Sequence, residues 1–139
     1  MKRFVYLISP KKIDKKFCLV LDKVLYYKNV DFFQLRLKNL KTNKIIQIAR
    51  KIKKITSKHK VKLIINDNFV IANRINADGC HMGQLDGSFK IVRNKLKNKI
   101  LGITCHNSKN LALNAIKNKA DYLAFGSFFK SKLKPKAIK

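Results

Sequence analysis

The chain has 139 residues and a formal net charge of +26, because 33 Lys and Arg side chains face only 7 acidic ones, all of them Asp. A hydrophobic fraction of 46% excludes a simple disordered polycation, and the length suits one domain. No segment approaches the roughly 18 consecutive apolar residues that a membrane-spanning helix requires.

Short β-rich runs alternate with amphipathic helical patterns along the first half of the chain. In chain order they predict a strand at 4–8, a helix at 13–27, a strand at 31–35 and a helix at 42–58. The last helix is the clearest, since its apolar residues recur at spacings of three and four. Thr42 or Asn43 is predicted to cap its first turn.

The same alternation continues through the second half on a shorter repeat. It predicts strands at 62–65, 78–82, 99–103 and 121–125, and helices at 69–75, 89–96 and 111–117. Six strands, each of the first five followed by a helix, indicate parallel pairing through right-handed crossovers. With neither a GxGxxG motif nor a Walker loop, the pattern leaves two α/β folds open, a doubly wound sheet and a (β/α) barrel.

Polar side chains gather just after the predicted strands, where barrel enzymes place their active sites. From the second strand to the sixth they are Gln34, Arg36 and Lys38, then Asn66 and Asp67, then His81, Gln84 and Asp86, then Thr104 and His106, then 130–134. Alternate positions of an extended run project to one side. Gln34, Arg36 and Lys38 are therefore a candidate phosphate-binding group.

Asp67 and Asp86 are candidate magnesium ligands, because hard cations prefer carboxylate oxygens. On neighbouring loops and facing Arg36 and Lys38, the two carboxylates would form a magnesium–diphosphate site. Taken alone, Asn66 and Asp67 are also compatible with a cap on the following helix. That alternative stays open at this point.

Much of the remaining charge is expected to be structural or solvated. His81 lies inside a strand, where a histidine is more often packed and hydrogen-bonded than catalytic, and Asp78 and Asp121 begin strands. The Lys residues are spread over the whole chain at helical spacing, which favours an AT-rich coding background over a dedicated basic arm. Although such a charge is typical of nucleic-acid and membrane binders, no recognition motif accompanies it, and we expect neither partner.

The compartment signals agree on a cytoplasmic protein. The apolar run at 4–8 is too short for a secretory signal, and no cleavage site follows it. Cys18, Cys80 and Cys105 are odd in number and far apart, which is typical of free thiols in a reducing cytoplasm.

Five stretches of the sequence resemble the thiamine phosphate synthase/TenI family, in the family's order and with its approximate spacing. They read QLRLK, LIINDN, NADGCHMGQLD, LGITCHN and ADYLAFGSFFKSKLKP, and they cover nearly all of the chain from the second strand onward. The resemblance implies a TIM barrel and a transferase of thiamine biosynthesis. Its reaction joins hydroxymethylpyrimidine diphosphate to a thiazole phosphate and releases diphosphate.

The resemblance also implies roles for individual residues. The diphosphate would be held by Gln34, Arg36, Lys38, Asn66, Thr104 and Lys134, with Leu35 and Leu37 inside the same binding run. Arg36, Lys38 and Lys134 would act in catalysis by neutralising the leaving diphosphate. Asp67 and Asp86 would bind Mg²⁺ as the cofactor.

The chain departs from the family pattern after the sixth strand. Ser131 keeps the hydroxyl of one threonine that holds the thiazole phosphate, whereas Leu133 lacks the other. A full (β/α)₈ barrel needs about 200 residues or more. We therefore expect residues 1–139 to form one truncated domain, an incomplete barrel with strands seven and eight missing. Either a homo-oligomer or another partner covers the open sheet edges, or the fold is marginal, or the reading frame has been cut short.

Three alternatives to a synthase remain open. They are a TenI-like thiazole tautomerase, a protein that binds pyrimidine diphosphate without turnover, and a decayed remnant without activity. Retention of the diphosphate and metal residues argues against the tautomerase, which does not need them.

Overall fold

The computed structural model describes residues 3–27, 29–126 and 128. Its strands are β1 (Tyr6–Ile8), β2 (Phe32–Leu35), β3 (Lys62–Asn66), β4 (Gly79–Met82), β5 (Ile100–His106) and β6 (Tyr122–Phe125). Its helices are α1 (Lys15–Tyr27), α2 (Thr42–Lys58), α3 (Phe69–Arg74), α4 (Phe89–Leu96) and α5 (Lys109–Lys117). Within that part of the chain, no helix has both the length and the apolar character needed to cross a membrane.

The six strands are parallel and stand in the order β1-β2-β3-β4-β5-β6. This sequential order belongs to a (β/α) barrel, because the order in a doubly wound sheet reverses at a switch point. The sheet curls, so that the ring of Tyr6 on β1 lies 5.6 Å from the ring of Tyr122 on β6. The predicted α/β fold, a partial barrel of six parallel strands, is confirmed for the described residues.

Side chains alternate between two layers along the strands. The outward layer packs against the helices and forms the hydrophobic core, in which Phe33, Leu63, Ile65, Leu101 and Ile103 are almost completely buried. Burying one such side chain contributes about 1.5–3 kcal/mol. The inward layer lies inside the curled sheet and contains polar groups, among them Gln34 and His81. The hydrophobic core thus lies mainly between the outward face of the sheet and the helices.

Three aspartates join neighbouring strands at the amino-terminal edge of the sheet. Asp31, Asp78 and Asp121 stand directly before β2, β4 and β6, and each accepts a backbone N–H from the adjacent strand or its entry. The donors are, in order, Val5 at 2.8 Å, Leu63 at 2.9 Å and Leu101 at 2.7 Å. Lys53 Nζ also lies 2.6 Å from Asp78, and Arg93 lies 2.8 Å from Asp121. Asp78 and Asp121 therefore have the structural role expected at strand starts.

The helix starts differ partly from expectation. The predicted cap on α2 was wrong, because Lys41 is the N-cap residue and makes no side-chain cap hydrogen bond. Asn68 and Ser108 do cap α3 and α5, each accepting a backbone N–H three residues later at 2.9 Å and 3.3 Å. The long α2 tolerates an uncapped start because packing of its apolar face supplies most of its stability.

Candidate active site at the carboxyl edge of the sheet

Two aspartates and a lysine meet where the strands end. Asp67 directly follows β3, Asp86 lies in the loop between β4 and α4, and Lys38 follows β2. Lys38 Nζ lies 3.4 Å from Asp67 Oδ2. The Asp67 carboxyl group is also close enough to that of Asp86 to interact with it directly. Predicted site residues from three consecutive strand ends are therefore brought together.

The backbone sets the position of Asp67. Its φ of 61° is a left-handed conformation that Asp tolerates better than most residues. Its N–H donates to the carbonyl of His81 on β4 over 2.7 Å. Because the side chain of Asn68 caps α3, the alternative of a cap by Asn66 or Asp67 is excluded. The Asp67 carboxylate is left to face the site.

The turn after β4 holds Asp86 in place. The N–H of Gly83 donates to Asp86 Oδ2 over 2.6 Å. A Cβ at residue 83 would stand only 2.7 Å from that same oxygen, so any larger residue would displace the carboxylate. Gln84 Nε2 donates to the carbonyl of Thr104 over 2.5 Å, which ties this turn to β5.

The paired carboxylates create an unfavourable charge that a cation would relieve. Burial raises the pKa of Asp86, and the neighbouring Asp67 raises it further, against the N–H of Gly83, which lowers it. Two carboxylates this close repel each other when both are ionised. Across the described ranges no three His, Cys, Asp or Glu side chains group together as metal ligands. Two carboxylates fit Mg²⁺, which commonly takes its other ligands from water and substrate phosphates.

The predicted run on β2 divides between the core and the site. Leu35 and Leu37 are buried in the hydrophobic core, so only their backbone atoms can reach a ligand at this edge. The backbone N–H of Arg36 donates to Ser9 Oγ over 2.9 Å. The Arg36 guanidinium forms no ion pair with any residue that the structure describes. Its charge is therefore available to an anion.

Four of the polar residues singled out by the sequence lie deeper, inside the curled sheet. Gln34 is 4% exposed, and its Nε2 donates to Tyr6 Oη over 3.1 Å. Asn66 ends β3 and stands in register with His81. His81 Nε2 lies 2.7 Å from Thr104 Oγ1. His81 is thus packed and hydrogen-bonded, as expected for a histidine within a strand.

Part of the predicted site falls beyond these elements. Ser131, Leu133 and Lys134, together with the basic run 130–134, lie outside the described residues. The roles expected of them in binding the diphosphate and the thiazole phosphate stay predictions.

Sequence reasoning missed four residues that shape the site. They are Tyr6, Gly83, Gly102 and Tyr122. The strand alternation that singled out Gln34 places Tyr6 and Tyr122 on the same inward side as Gln34. That signal was present in the sequence, but it becomes informative only when the first and last strands are known to face each other.

The fold and the position of the candidate site together define a class of protein. A sequentially ordered parallel sheet with charged side chains clustered at its carboxyl edge is typical of (β/α)-barrel proteins. Residues 5–139 match the family model described as thiamine monophosphate synthase. The chain belongs to this family, which confirms the resemblance carried by its motifs.

Individual relatives show how far the likeness extends. A thiamine-phosphate synthase of Pelagibacter ubique is 57% identical over 135 residues, which make up 96% of this chain and 65% of that protein. One of Erythrobacter litoralis is 38% identical over 95% of this chain and 63% of its own length. A thiamine phosphate pyrophosphorylase from Pyrococcus furiosus superposes with a TM-score of 0.80 at 25% identity, covering 91% of this chain and 61% of that one. The chain therefore spans less than two thirds of each relative's length.

Proposed function

We propose that the chain acts as a thiamine phosphate synthase. In this reaction the C–O bond of hydroxymethylpyrimidine diphosphate breaks and the diphosphate leaves with the bonding electrons. The nitrogen of the thiazole phosphate then bonds to the resulting pyrimidine-methyl cation. Such chemistry depends on stabilising the leaving group more than on a positioned base.

The described residues suit that demand. Arg36 offers a planar fork of donors and Lys38 a mobile positive charge, and both match phosphate oxygens. Thr104 adds a neutral hydroxyl. Asp67 and Asp86 would hold Mg²⁺, which when bound neutralises charge on the diphosphate. Each group would act on the leaving group, and none is required as a nucleophile.

The meeting of Lys38, Asp67 and Asp86 supports this proposal most directly. A pair of carboxylates that repel each other is unfavourable in the fold until a cation neutralises their charge. A cation bound there would in turn attract the phosphate groups of an anionic ligand. A thiazole tautomerase has no diphosphate to hold, so it gives this cluster no task.

An assay of the full chain tests the proposal. The protein is incubated with Mg²⁺ and both substrates, and thiamine phosphate is quantified by chromatography. We expect Mg²⁺-dependent product that Lys38→Ala reduces by about tenfold or more, whereas Lys51→Ala on the outer face of α2 serves as the matched charge control. Product no higher than in a blank without protein would overturn the proposal.

We also infer that the protein works in a reducing compartment such as the cytoplasm. The three cysteines form no disulfide with one another. Burial raises the pKa of Cys80 to about 12, which keeps this thiol protonated and unreactive. The proposed partners are its small-molecule substrates.

A further inference from the structure

Five side chains form a continuous hydrogen-bonded network across the interior of the curled sheet. The links run from Gln34 Nε2 to Tyr6 Oη (3.1 Å), to Tyr122 Oη (2.7 Å), to His81 Nδ1 (2.8 Å), and from His81 Nε2 to Thr104 Oγ1 (2.7 Å). We call these five residues the interior network. They come from five different strands. The network therefore connects the first strand, β1, and the last strand, β6, with strands that lie between them in the sheet.

Gly102 makes this path possible. Strand β5 stands between β4 and β6, and the register places Gly102 in one row with His81 and Tyr122. A Cβ at residue 102 would lie 1.9 Å from Tyr122 Cζ. Because that atom is missing in glycine, the rings of His81 and Tyr122 stack at 5.6 Å with an interplanar angle of 27°. A larger residue at 102 would separate them.

In one direction, each of the four links of the interior network has a hydrogen and an acceptor. An amide nitrogen only donates, so Gln34 donates to Tyr6. In this direction the Tyr6 hydroxyl donates to Tyr122, and the Tyr122 hydroxyl donates to His81 Nδ1. A neutral imidazole that accepts at Nδ1 carries its hydrogen on Nε2, from which it donates to Thr104 Oγ1.

The opposite direction leaves one hydroxyl hydrogen without an acceptor among the five residues. If Thr104 donated to His81 Nε2, His81 Nδ1 would donate to Tyr122. Either the Tyr122 hydroxyl would then lack an acceptor in the network, or it would donate to Tyr6, whose hydroxyl would face the NH₂ group of Gln34. Burial raises the pKa of both Tyr6 and Tyr122, so both phenols keep their hydrogen at neutral pH.

We propose that the interior network orients the Thr104 hydroxyl as a hydrogen-bond donor to the diphosphate. His81 occupies a lone pair of Thr104 Oγ1, which leaves the hydroxyl hydrogen to be donated elsewhere. Phosphate oxygens only accept, so a hydroxyl fixed as a donor binds them better than one that rotates freely. Gln34, Tyr6, Tyr122 and His81 are then positioning residues. The inference rests on the proposed function, which makes diphosphate the ligand of Thr104.

Calorimetric titration of the full chain with inorganic diphosphate and Mg²⁺ tests the effect on binding. Tyr122→Phe removes the central hydroxyl while keeping the ring, and we expect about three- to tenfold weaker binding. Thr104→Val should weaken binding by about tenfold or more, because it removes a donor to a charged group. The double variant should bind no more weakly than Thr104→Val, since both changes act through the same hydroxyl.

Matched controls separate positioning from general damage. Tyr27→Phe deletes the same atom from an exposed position on α1 and should leave diphosphate binding unchanged. Tyr6→Phe breaks the network one link earlier and replaces Tyr122→Phe if that variant does not fold. Additive losses in the double variant, or a Tyr122→Phe variant that binds like Tyr27→Phe, would overturn the proposal.

The tautomer of His81 tests the network without any ligand. Proton–nitrogen NMR of the full chain should find the ring hydrogen on Nε2. A hydrogen on Nδ1 would overturn the direction of the network, whether or not the protein binds diphosphate. Failure of the unmodified chain to bind diphosphate at all would instead overturn the proposed function. The two failures are therefore distinguishable.

Discussion

The two edges of the sheet use aspartate in opposite ways. At the amino-terminal edge, Asp31, Asp78 and Asp121 each accept a backbone N–H, and two of them also contact a Lys or Arg. At the carboxyl edge, Asp67 and Asp86 face each other. The first arrangement compensates each negative charge separately, whereas the second places two like charges together beside Lys38, whose Nζ lies 3.4 Å from Asp67 Oδ2.

The pKa values follow this difference. Burial raises the pKa of Asp78, but hydrogen bonds from Lys53 and the N–H of Leu63 outweigh burial, and the pKa is lowered. Burial also raises the pKa of Asp86, and there the neighbouring Asp67 adds to the effect. The same residue type therefore stabilises the fold at one edge and forms a pair of interacting carboxyl groups at the other.

The two remaining acidic residues follow the compensated pattern. Asp14 accepts the N–H of Phe17 at the start of α1 over 2.7 Å. Asp22 lies 3.0 Å from Lys58 Nζ and 2.7 Å from His59 Nε2. With 7 aspartates and no glutamate in the chain, only the pair at the carboxyl edge has carboxylates in mutual contact. The contact between the carboxyl groups of Asp67 and Asp86 therefore distinguishes the candidate site from the other aspartates of the chain.

Removing the carboxylates at the carboxyl edge should have the largest effect. For Asp67→Asn combined with Asp86→Asn we expect Mg²⁺-dependent diphosphate binding to fall by about 100-fold or more, because the proposed Mg²⁺ site would lose its charged ligands. Calorimetry with and without Mg²⁺ measures this loss. Asp31→Asn at the opposite edge is the control and should bind normally. If the double variant bound diphosphate within about threefold of the unmodified chain, the result would contradict a role of these two carboxylates in Mg²⁺-dependent binding.

The amino-terminal edge should respond in stability instead of binding. Asp78→Ala leaves Lys53 and the N–H of Leu63 without their acceptor, which should lower the free energy of unfolding by about 2–3 kcal/mol. Urea denaturation measures the change. The estimate lies below the range for fully buried pairs because the two side chains are 22% and 25% exposed. A loss of diphosphate affinity in the folded variant would show that the two edges are not independent.

The elements and the carboxyl-edge cluster could be predicted because they depend on local or simple rules. Apolar spacing gave α2 its bounds at Thr42–Lys58. Since parallel strands end at one edge, the meeting of Asp67 and Asp86 needs no knowledge of side-chain packing. The α2 cap was predicted wrongly because a side-chain cap is optional where packing already holds the helix.

The interior network could not be predicted in the same way. Contact between Tyr6 and Tyr122 depends on how far the sheet curls, which is the accumulated twist of six strands and appears in no single segment. The gap at Gly102 gains its meaning only from the register that places this residue between His81 and Tyr122. Register across a whole sheet is a property of the fold.

Acid should weaken the contribution that Asp78, at the amino-terminal edge, makes to the free energy of unfolding, whereas neutral pH should leave that contribution intact. The pKa of Asp78 is lowered in the folded state, so its contribution to stability is complete above the unfolded value of about 3.9. That contribution is lost as the pH falls through the folded-state pKa. The free-energy gap between the unmodified chain and Asp78→Asn should therefore narrow from pH 6 towards pH 2 in urea titrations. A gap that stays constant would mean that the ionised Asp78 adds nothing to stability.

Relieving the repulsion at the carboxyl edge should have the smallest effect and the opposite sign. Asp86→Asn keeps an oxygen to accept the N–H of Gly83, but it removes one of two like charges. We expect the free energy of unfolding at neutral pH to rise by about 0.2–0.5 kcal/mol, since water still screens these partly exposed charges. Thermal unfolding at low ionic strength measures the gain, which should fade as salt screens the pair. Added Mg²⁺ should stabilise the unmodified chain more than the variant. Without Mg²⁺, a variant that is less stable than the unmodified chain would show that the two carboxylates do not repel each other.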